Sequence, residues 1–137
     1  MKRNQSLRHG VTRNNAPDGV RRFSCGVELA LSIIGGKWKP VVLAHLKQGA
    51  LRYGELRARI PTLSDKMLTQ CLKDLEESGL LRRRKSGGRG APSYYELTAR
   101  AQLLRPALRA LNDWGVRIAG EIGAKVEPPS KVPGGTR

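Results

Sequence analysis

Proline 61 and the twelve residues that follow Leu63 constrain this chain most. Pro61 has no backbone N–H and clashes with the turn before it, so a helix cannot run through it. Ser64 then offers a hydroxyl suited to cap a new helix. From Ser64 to Leu75 the sequence reads Ser-Asp-Lys-Met-Leu-Thr-Gln-Cys-Leu-Lys-Asp-Leu. Placed on a helix, it separates into two faces. Met67, Leu68, Cys71, Leu72 and Leu75 share one side. Lys66, Thr69, Gln70 and Lys73 share the other, at i, i+3, i+4 and i+7. A helix of this kind buries one edge and presents groups that donate to phosphates or base edges, which suits it to a DNA major groove. A solvated helix surface looks similar, so the neighbouring segments decide between the two.

The upstream neighbour is a short helix over about Tyr53 to Ile60, with Leu56 and Ile60 inward. Only about three residues around Pro61 separate it from the amphipathic helix, which ends near Ser78 at Gly79. This is the sequence form of a helix-turn-helix. Earlier still, a helix from about Gly26 to Ile34 stops at Gly35-Gly36. Another takes Pro40 in its first turn, buries Val41, Val42, Leu43, Ala44 and Leu46, and ends at Gly49.

Downstream, Leu80-Leu81 leads into Arg82-Arg83-Arg84-Lys85. A Gly-rich stretch holding Arg89 follows, then Ser93-Tyr94-Tyr95-Glu96-Leu97. Two short strands around that turn form a β-hairpin, with Tyr95 and Leu97 inward. A hairpin directly after a helix-turn-helix is a wing, and its tip is basic and free of acid. A charged, solvated loop is the plainer reading. Beside this helix, Arg83, Arg84, Lys85 and Arg89 are assigned to phosphates or a narrow minor groove. The expected fold class is therefore mainly α with a small β-hairpin wing, a winged helix-turn-helix.

Thr98 can cap a last helix reaching about Ile122, with Pro106 bending its start. Leu103, Leu104, Ala107, Leu108, Leu111, Trp114, Ile118 and Ile122 make a long apolar stripe on it. The stripe can pack on the domain's own core. One small domain does not easily hide so much, so Leu104, Leu108, Leu111, Trp114 and Ile118 are read as a homodimer interface. Two-fold pairing sets two reading helices roughly 34–36 Å apart, one turn of duplex.

Composition agrees with a polyanionic partner. The chain has 137 residues and a formal net charge of +15, from 26 Lys and Arg against 11 Asp and Glu. Such an excess attracts DNA, RNA or an anionic membrane surface. No segment approaches the roughly 18 apolar residues of a membrane span, and the N-terminus lacks the apolar core of a secretory signal. No membrane association is expected, and the expected location is cytoplasmic. The length suits one domain with a real core. Residues 1–22 are expected to be a flexible basic arm, residues 23–124 the DNA-binding and dimerisation domain, and residues 125–137 a disordered tail. Cys25 and Cys71 are too few and too scattered for a disulfide scaffold, and with His9 and His45 they show no metal-ligand spacing. No cofactor and no metal are expected. No catalytic grouping is visible, and Gly87-Gly88-Arg89-Gly90 lacks the Lys-Ser/Thr that completes a phosphate-binding loop. The chain is therefore not expected to be an enzyme.

Five segments together resemble a known family. They are Cys25-Gly26-Val27-Glu28 with Ile33-Ile34-Gly35-Gly36-Lys37-Trp38-Lys39; Arg52-Tyr53-Gly54-Glu55-Leu56; Ser64 to Glu76 with Gly79-Leu80; Tyr95-Glu96-Leu97-Thr98; and Asn112-Asp113-Trp114-Gly115. In this order and spacing the chain is similar to the HxlR-type winged helix-turn-helix transcription regulators of the MarR-like group, over roughly residues 25–120. The resemblance implies a homodimer, built from the first and last helices, that binds an inverted-repeat operator in double-stranded DNA. It also implies, from members that sense electrophiles or oxidants through the matching cysteine, a redox-sensing role for Cys25. The chain departs from the family pattern at Gly26, where Pro is usual, at Cys71, where Gln is common, and in its long basic arm.

Cys25 precedes a helix and follows Arg21 and Arg22; it reads either as a small buried residue or as a redox switch. Cys71 reads as packing, and Trp38 and Trp114 as core. The DNA-binding set is Ser64, Lys66, Thr69, Gln70, Lys73, Arg83, Arg84, Lys85 and Arg89. Within it, Gln70 is placed to pair with an adenine and Lys73 to meet a phosphate. The competing function is a sequence-neutral nucleic-acid-binding or architectural protein driven by charge alone. Aromatics make up only 4% of the chain, which disfavours single-strand binding by base stacking.

Overall fold

The computed structural model describes residues 17–127. Most of the expected N-terminal arm and C-terminal tail, residues 1–16 and 128–137, lies outside the described residues. The described residues fall into two compact units, 17–36 and 37–127.

In the first unit, Arg22 pairs with Asp18 at 2.6 Å. One helix, α1 (Gly26–Ile34), follows. Ser24 donates both its N–H and its hydroxyl to the Glu28 carboxylate, at 2.6 and 2.8 Å. An acid in the first turn also suits the positive end of the helix. None of the α1 residues is buried.

The second unit contains α2 (Trp38–Leu46), β1 (Leu51–Arg52), α3 (Tyr53–Arg59), α4 (Asp65–Glu77), β2 (Leu81–Lys85), β3 (Ser93–Leu97), α5 (Ala99–Gln102) and α6 (Arg105–Ile122). Its core gathers Val42, Leu43 and Leu46 of α2, Leu56 of α3, and Leu68, Leu72 and Leu75 of α4. Leu63, Leu80, Leu81 and Leu97 close it from the connections and strands. Val41 and Ala44, expected inside, are half-buried.

Ser64 caps α4 as the sequence implies, its hydroxyl accepting the Met67 N–H at 3.1 Å. At the other end Gly79 adopts φ +78°. There the Leu80 N–H reaches the Leu75 carbonyl at 2.9 Å, and the Gly79 N–H reaches Glu76 at 3.0 Å. This pair of bonds is a Schellman motif, and its left-handed residue is glycine because a side chain is strained there. Thr98 ties the wing to this corner. Its hydroxyl donates to the Gly79 carbonyl at 2.7 Å, and its N–H donates to Leu80 at 3.1 Å.

The sheet has three antiparallel strands in the order β1-β3-β2, one more than the sequence suggests. β2 and β3 pair from Leu81↔Leu97 to Lys85↔Ser93, while β1 adds only Leu51↔Tyr95 and Arg52↔Tyr94. Two residues are too few to show a period of two, so β1 leaves no pattern to read. Leu97 is buried and Tyr95 half-buried, in line with their expected inward side.

The C-terminal helix is two helices rather than one bent helix. Thr98 caps α5, accepting the Ala101 N–H at 3.3 Å. The chain then turns at Leu103-Leu104 and restarts with Pro106 in the first turn of α6. Proline removes the bond back to Gln102 and crowds that carbonyl, whereas in a first turn its missing N–H costs nothing.

The apolar stripe on α6 divides accordingly. Leu108 is 4% exposed and Ala119 is also buried, so both belong to this unit's own core. Leu108 therefore leaves the set of residues offered to a second subunit. Leu104 and Ile118 are half-buried. Leu111 and Trp114 are 58% and 64% exposed, and Leu103 and Ile122 are exposed as well. Trp114 is not a core residue.

Leu72→Ala is expected to cost about 2–5 kcal/mol, the usual range for a leucine removed from a close-packed core. Lys73→Ala, next to it on the outer face, should stay within about 0.5 kcal/mol. Urea unfolding of both variants measures the difference.

Candidate nucleic-acid interface

The burial of Leu68, Leu72 and Leu75 dictates what α4 shows to solvent. Lys66, Thr69, Gln70 and Lys73 are all exposed, as is Ser64 at the cap. Lys66 and Lys73 have no ion-pair partner among the described residues. Gln70 donates its amide N–H to Asp74 Oδ1 at 2.9 Å, one turn along the same helix. The other Asp74 oxygen faces the Lys39 ammonium at 3.9 Å. Among the described residues one N–H and the carbonyl oxygen of Gln70 remain unengaged, which is the donor–acceptor pair that an adenine edge requires.

Met67 and Cys71 sit at the margin of the buried face. Met67 is 45% exposed, contrary to its expected packing. Cys71 is half-buried, and desolvation raises its thiol pKa above the usual value. A neutral thiol there suits packing. Cys25 is exposed at the N-cap of α1, where its carbonyl accepts the Leu29 N–H at 3.3 Å. Its side chain makes no capping bond.

Three residues that the sequence did not single out brace α4. The Tyr53 hydroxyl donates to Asp65 Oδ1 at 2.7 Å and lies 3.4 Å from the Thr69 hydroxyl. Arg57 Nε donates to the same Asp65 oxygen at 2.7 Å, and its Nη1 donates to the Leu63 carbonyl at 2.6 Å. Tyr53 and Arg57 are one turn apart on α3, and Asp65 opens α4. The cluster therefore fixes the angle between the two helices across the Pro61 turn. Their i,i+4 spacing was visible in the sequence; their meeting with Asp65 was not, because it depends on the crossing of two helices.

On the wing, the five cations divide by strand face. Arg83 turns back toward α4, with Nε 3.8 Å from Glu76, and lies over the Tyr95 ring at 5.9 Å. Arg84 and its neighbour Arg82 point to the opposite face, where both meet Glu96, at 3.2 and 2.9 Å. Lys85 and Arg89 are exposed and carry no ion pair among the described residues. The wing thus keeps its free charge toward the tip. Glu96 and Glu76 were missed as partners because pairing across strands and onto a helix follows from register, not from local spacing.

Among the described residues no group of three or more His, Cys, Asp or Glu is placed to hold a metal ion. Among the same residues no helix is long and apolar enough to cross a membrane.

A short helix braced on an amphipathic one, followed by a basic hairpin, defines a winged helix-turn-helix of the DNA-binding type. The chain belongs to the HxlR-like helix-turn-helix family, whose model it matches over residues 33–122. It is 42% identical over 97 residues to an HTH-type transcriptional regulator of Methanothermobacter thermautotrophicus, covering 71% of this chain and 74% of that one. It is 41% identical over 108 residues to the HTH-type transcriptional regulator YkvN of Bacillus subtilis, covering 79% and 92% of the two chains. Among solved structures, the redox regulator HypR in its oxidised form matches with a TM-score of 0.64 at 33% identity, over 68% of this chain and 96% of that one. The first two relatives are named as transcriptional regulators and the third as a redox regulator, and no catalytic activity is indicated by them.

Asp65 gives the brace a pH dependence. The Tyr53 hydroxyl and then the Arg57 guanidinium hold its carboxyl below 3.8. A lowered folded-state pKa stabilises the protein above the unfolded value and loses that effect as pH falls through the folded value. Wild type and Asp65→Asn should therefore differ in thermal midpoint at pH 6 and converge as pH drops below about 3.9, the ordinary aspartate value. A constant difference across that range would mean that the carboxylate charge does not support the brace.

Proposed function

We propose that this protein is a homodimeric transcription regulator that binds an inverted-repeat operator in double-stranded DNA. α4 lies in the major groove. Gln70 and Thr69 face base edges, while Lys66, Lys73 and the α4 N-terminus at Ser64 face phosphates. Lys85 and Arg89 at the wing tip meet the flanking backbone or minor groove, with Arg83 and Arg84 nearer the wing base. The observation that carries this reading is the α4 face itself, four exposed polar side chains backed by three buried leucines.

The exposed seam of α6 supports the dimer. Leu111 and Trp114 are exposed on a helix whose Leu108 and Ala119 are already packed in the unit's own core. Large exposed apolar side chains clustered in this way mark an interaction surface. The separate exposure of Val27 and Leu31 on α1 accords with the dimer that the family resemblance implies. A two-fold dimer would set its two α4 helices on successive faces of the duplex, roughly 34–36 Å apart.

Cys25 is the proposed point of control by an oxidant or electrophile. Its exposure makes it accessible to such reagents, and the likeness to a redox regulator favours this mode. A cytoplasmic location follows from action on the chromosome.

Three measurements test these statements. Footprinting on genomic fragments should show discrete palindromic protection, released by oxidant in wild type and retained in Cys25→Ser. Gln70→Ala should lose about 1–3 kcal/mol of discrimination at one base pair per half-site. Uniform coating of DNA, with equal losses on every sequence, would instead favour a charge-driven architectural protein. Separately, Trp114→Glu is expected to sediment as a monomer and to bind the full operator at least tenfold more weakly; an unchanged dimer would remove α6 from the interface.

A further inference from the structure

The wing contains one acid between Leu81 and Leu97, and its position is unusual for a surface meant to attract phosphate. Glu96 stands on β3 directly across from Arg82, with Arg84 across from Tyr94. All four side chains therefore share one face of the sheet, the face opposite Leu81 and Leu97. Arg82 donates from Nε at 3.0 Å and approaches with Nη2 at 2.9 Å, both to Oε2. Arg84 does the same to Oε1, both atoms at 3.2 Å. Each carboxylate oxygen is thus gripped side-on by its own guanidinium. Beyond them, Tyr94 lies between Arg84 and Arg52, whose guanidinium carbons are 5.8 and 5.7 Å from its ring centre. The two guanidinium-bearing side chains are 61% and 49% exposed, while the Glu96 side chain beneath them is 21% exposed.

This arrangement has two physical consequences. The guanidinium edge carrying Nη1 stays free to meet a phosphate, so the arginines are not removed from binding. Their attraction for a phosphate is nevertheless offset by a fixed negative charge within a Debye length. Sequence-neutral binding of DNA comes almost wholly from cations that displace condensed counterions. It is therefore the mode most sensitive to such an offset.

We propose that Glu96 is a charge-limiting residue of the wing, which clamps Arg82 and Arg84 and thereby holds down sequence-neutral affinity for duplex DNA. The proposal rests on the reading of the wing as a DNA-backbone surface. It gives a protein with a net charge of +15 a device against being held at arbitrary sites. The lowered Glu96 pKa, caused first by Arg82 and also by Arg84, keeps the offset in place at neutral pH.

The test is binding of the full-length chain to a random-sequence duplex across a salt series. Glu96→Gln should tighten binding roughly three- to tenfold near 0.1 M salt and steepen the log–log salt slope by about one unit, the increment for one more neutralised phosphate. Arg82→Gln combined with Glu96→Gln should return the slope to the wild-type value, because one charge of each sign is removed; a purely structural role would not be rescued in this way. Glu96→Thr, which keeps strand propensity, should behave as Glu96→Gln does if the latter folds poorly. Unchanged or weakened binding in both Glu96 variants overturns the proposal. Lys85→Ala separates the two layers. If it weakens binding while the Glu96 variants leave the slope unmoved, the wing reading stands and the inference alone fails. If Lys85→Ala is also without effect, the wing is not a DNA surface and both fall.

Discussion

Three leucines on one edge of α4 set the orientation of everything that follows. Leu68, Leu72 and Leu75 are buried against α2 and the strand that leads into the wing. Burying a leucine side chain contributes about 1.5–3 kcal/mol each, far more than rotating the helix about its axis could recover. The opposite edge has no freedom but to face water. The Tyr53–Asp65–Arg57 cluster fixes the start of the helix, and the Schellman turn at Gly79 fixes its end. Thr98 carries that second fixed point into the hairpin. α4 and the hairpin are thus positioned by one core.

The electrostatics divide along the same lines. Cations near the structural joints are paired: Arg57 with Asp65, Arg83 with Glu76, and Arg82 and Arg84 with Glu96. Those on the outward surfaces, Lys66 and Lys73 on α4 and Lys85 and Arg89 on the wing, are exposed without such partners among the described residues. Net charge by itself attracts any polyanion. The placement of the free charge, beside a Gln70 amide that donates to Asp74, is what the proposed reading of a preferred duplex sequence rests on. Membership of the HxlR-like family points the same way.

Local physics made much of this legible in the sequence. Apolar spacing located α1 to α4, Pro61 and Gly79 bounded the reading helix, and Ser64 and Thr98 announced their caps. The exposed set on α4 followed directly, since a periodic face needs only the chain's own geometry. What stayed hidden depends on separate segments meeting. β1 is two residues long and exists only because β3 lies beside it. Met67 belongs to the apolar arc yet is exposed. Leu108 sits in the α6 stripe but is enclosed by its own unit, whereas Trp114 on the same stripe is not. Pro106 divided the last helix because Leu103 and Leu104 turn before it, a choice that periodicity alone does not record. The partners of Arg82, Arg83 and Arg84 are set by strand register, so the wing read as a run of equivalent cations when it is not one.

The central claim is that the polar edge of α4 meets the duplex. Titrating isotope-labelled protein with short duplex DNA and following its NMR resonances observes that edge directly. The account predicts that the largest shifts fall on Lys66, Thr69, Gln70 and Lys73, with a second set at Lys85 and Arg89, while Leu111 and Trp114 stay unmoved. Shifts centred on α6, with α4 unperturbed, would contradict it.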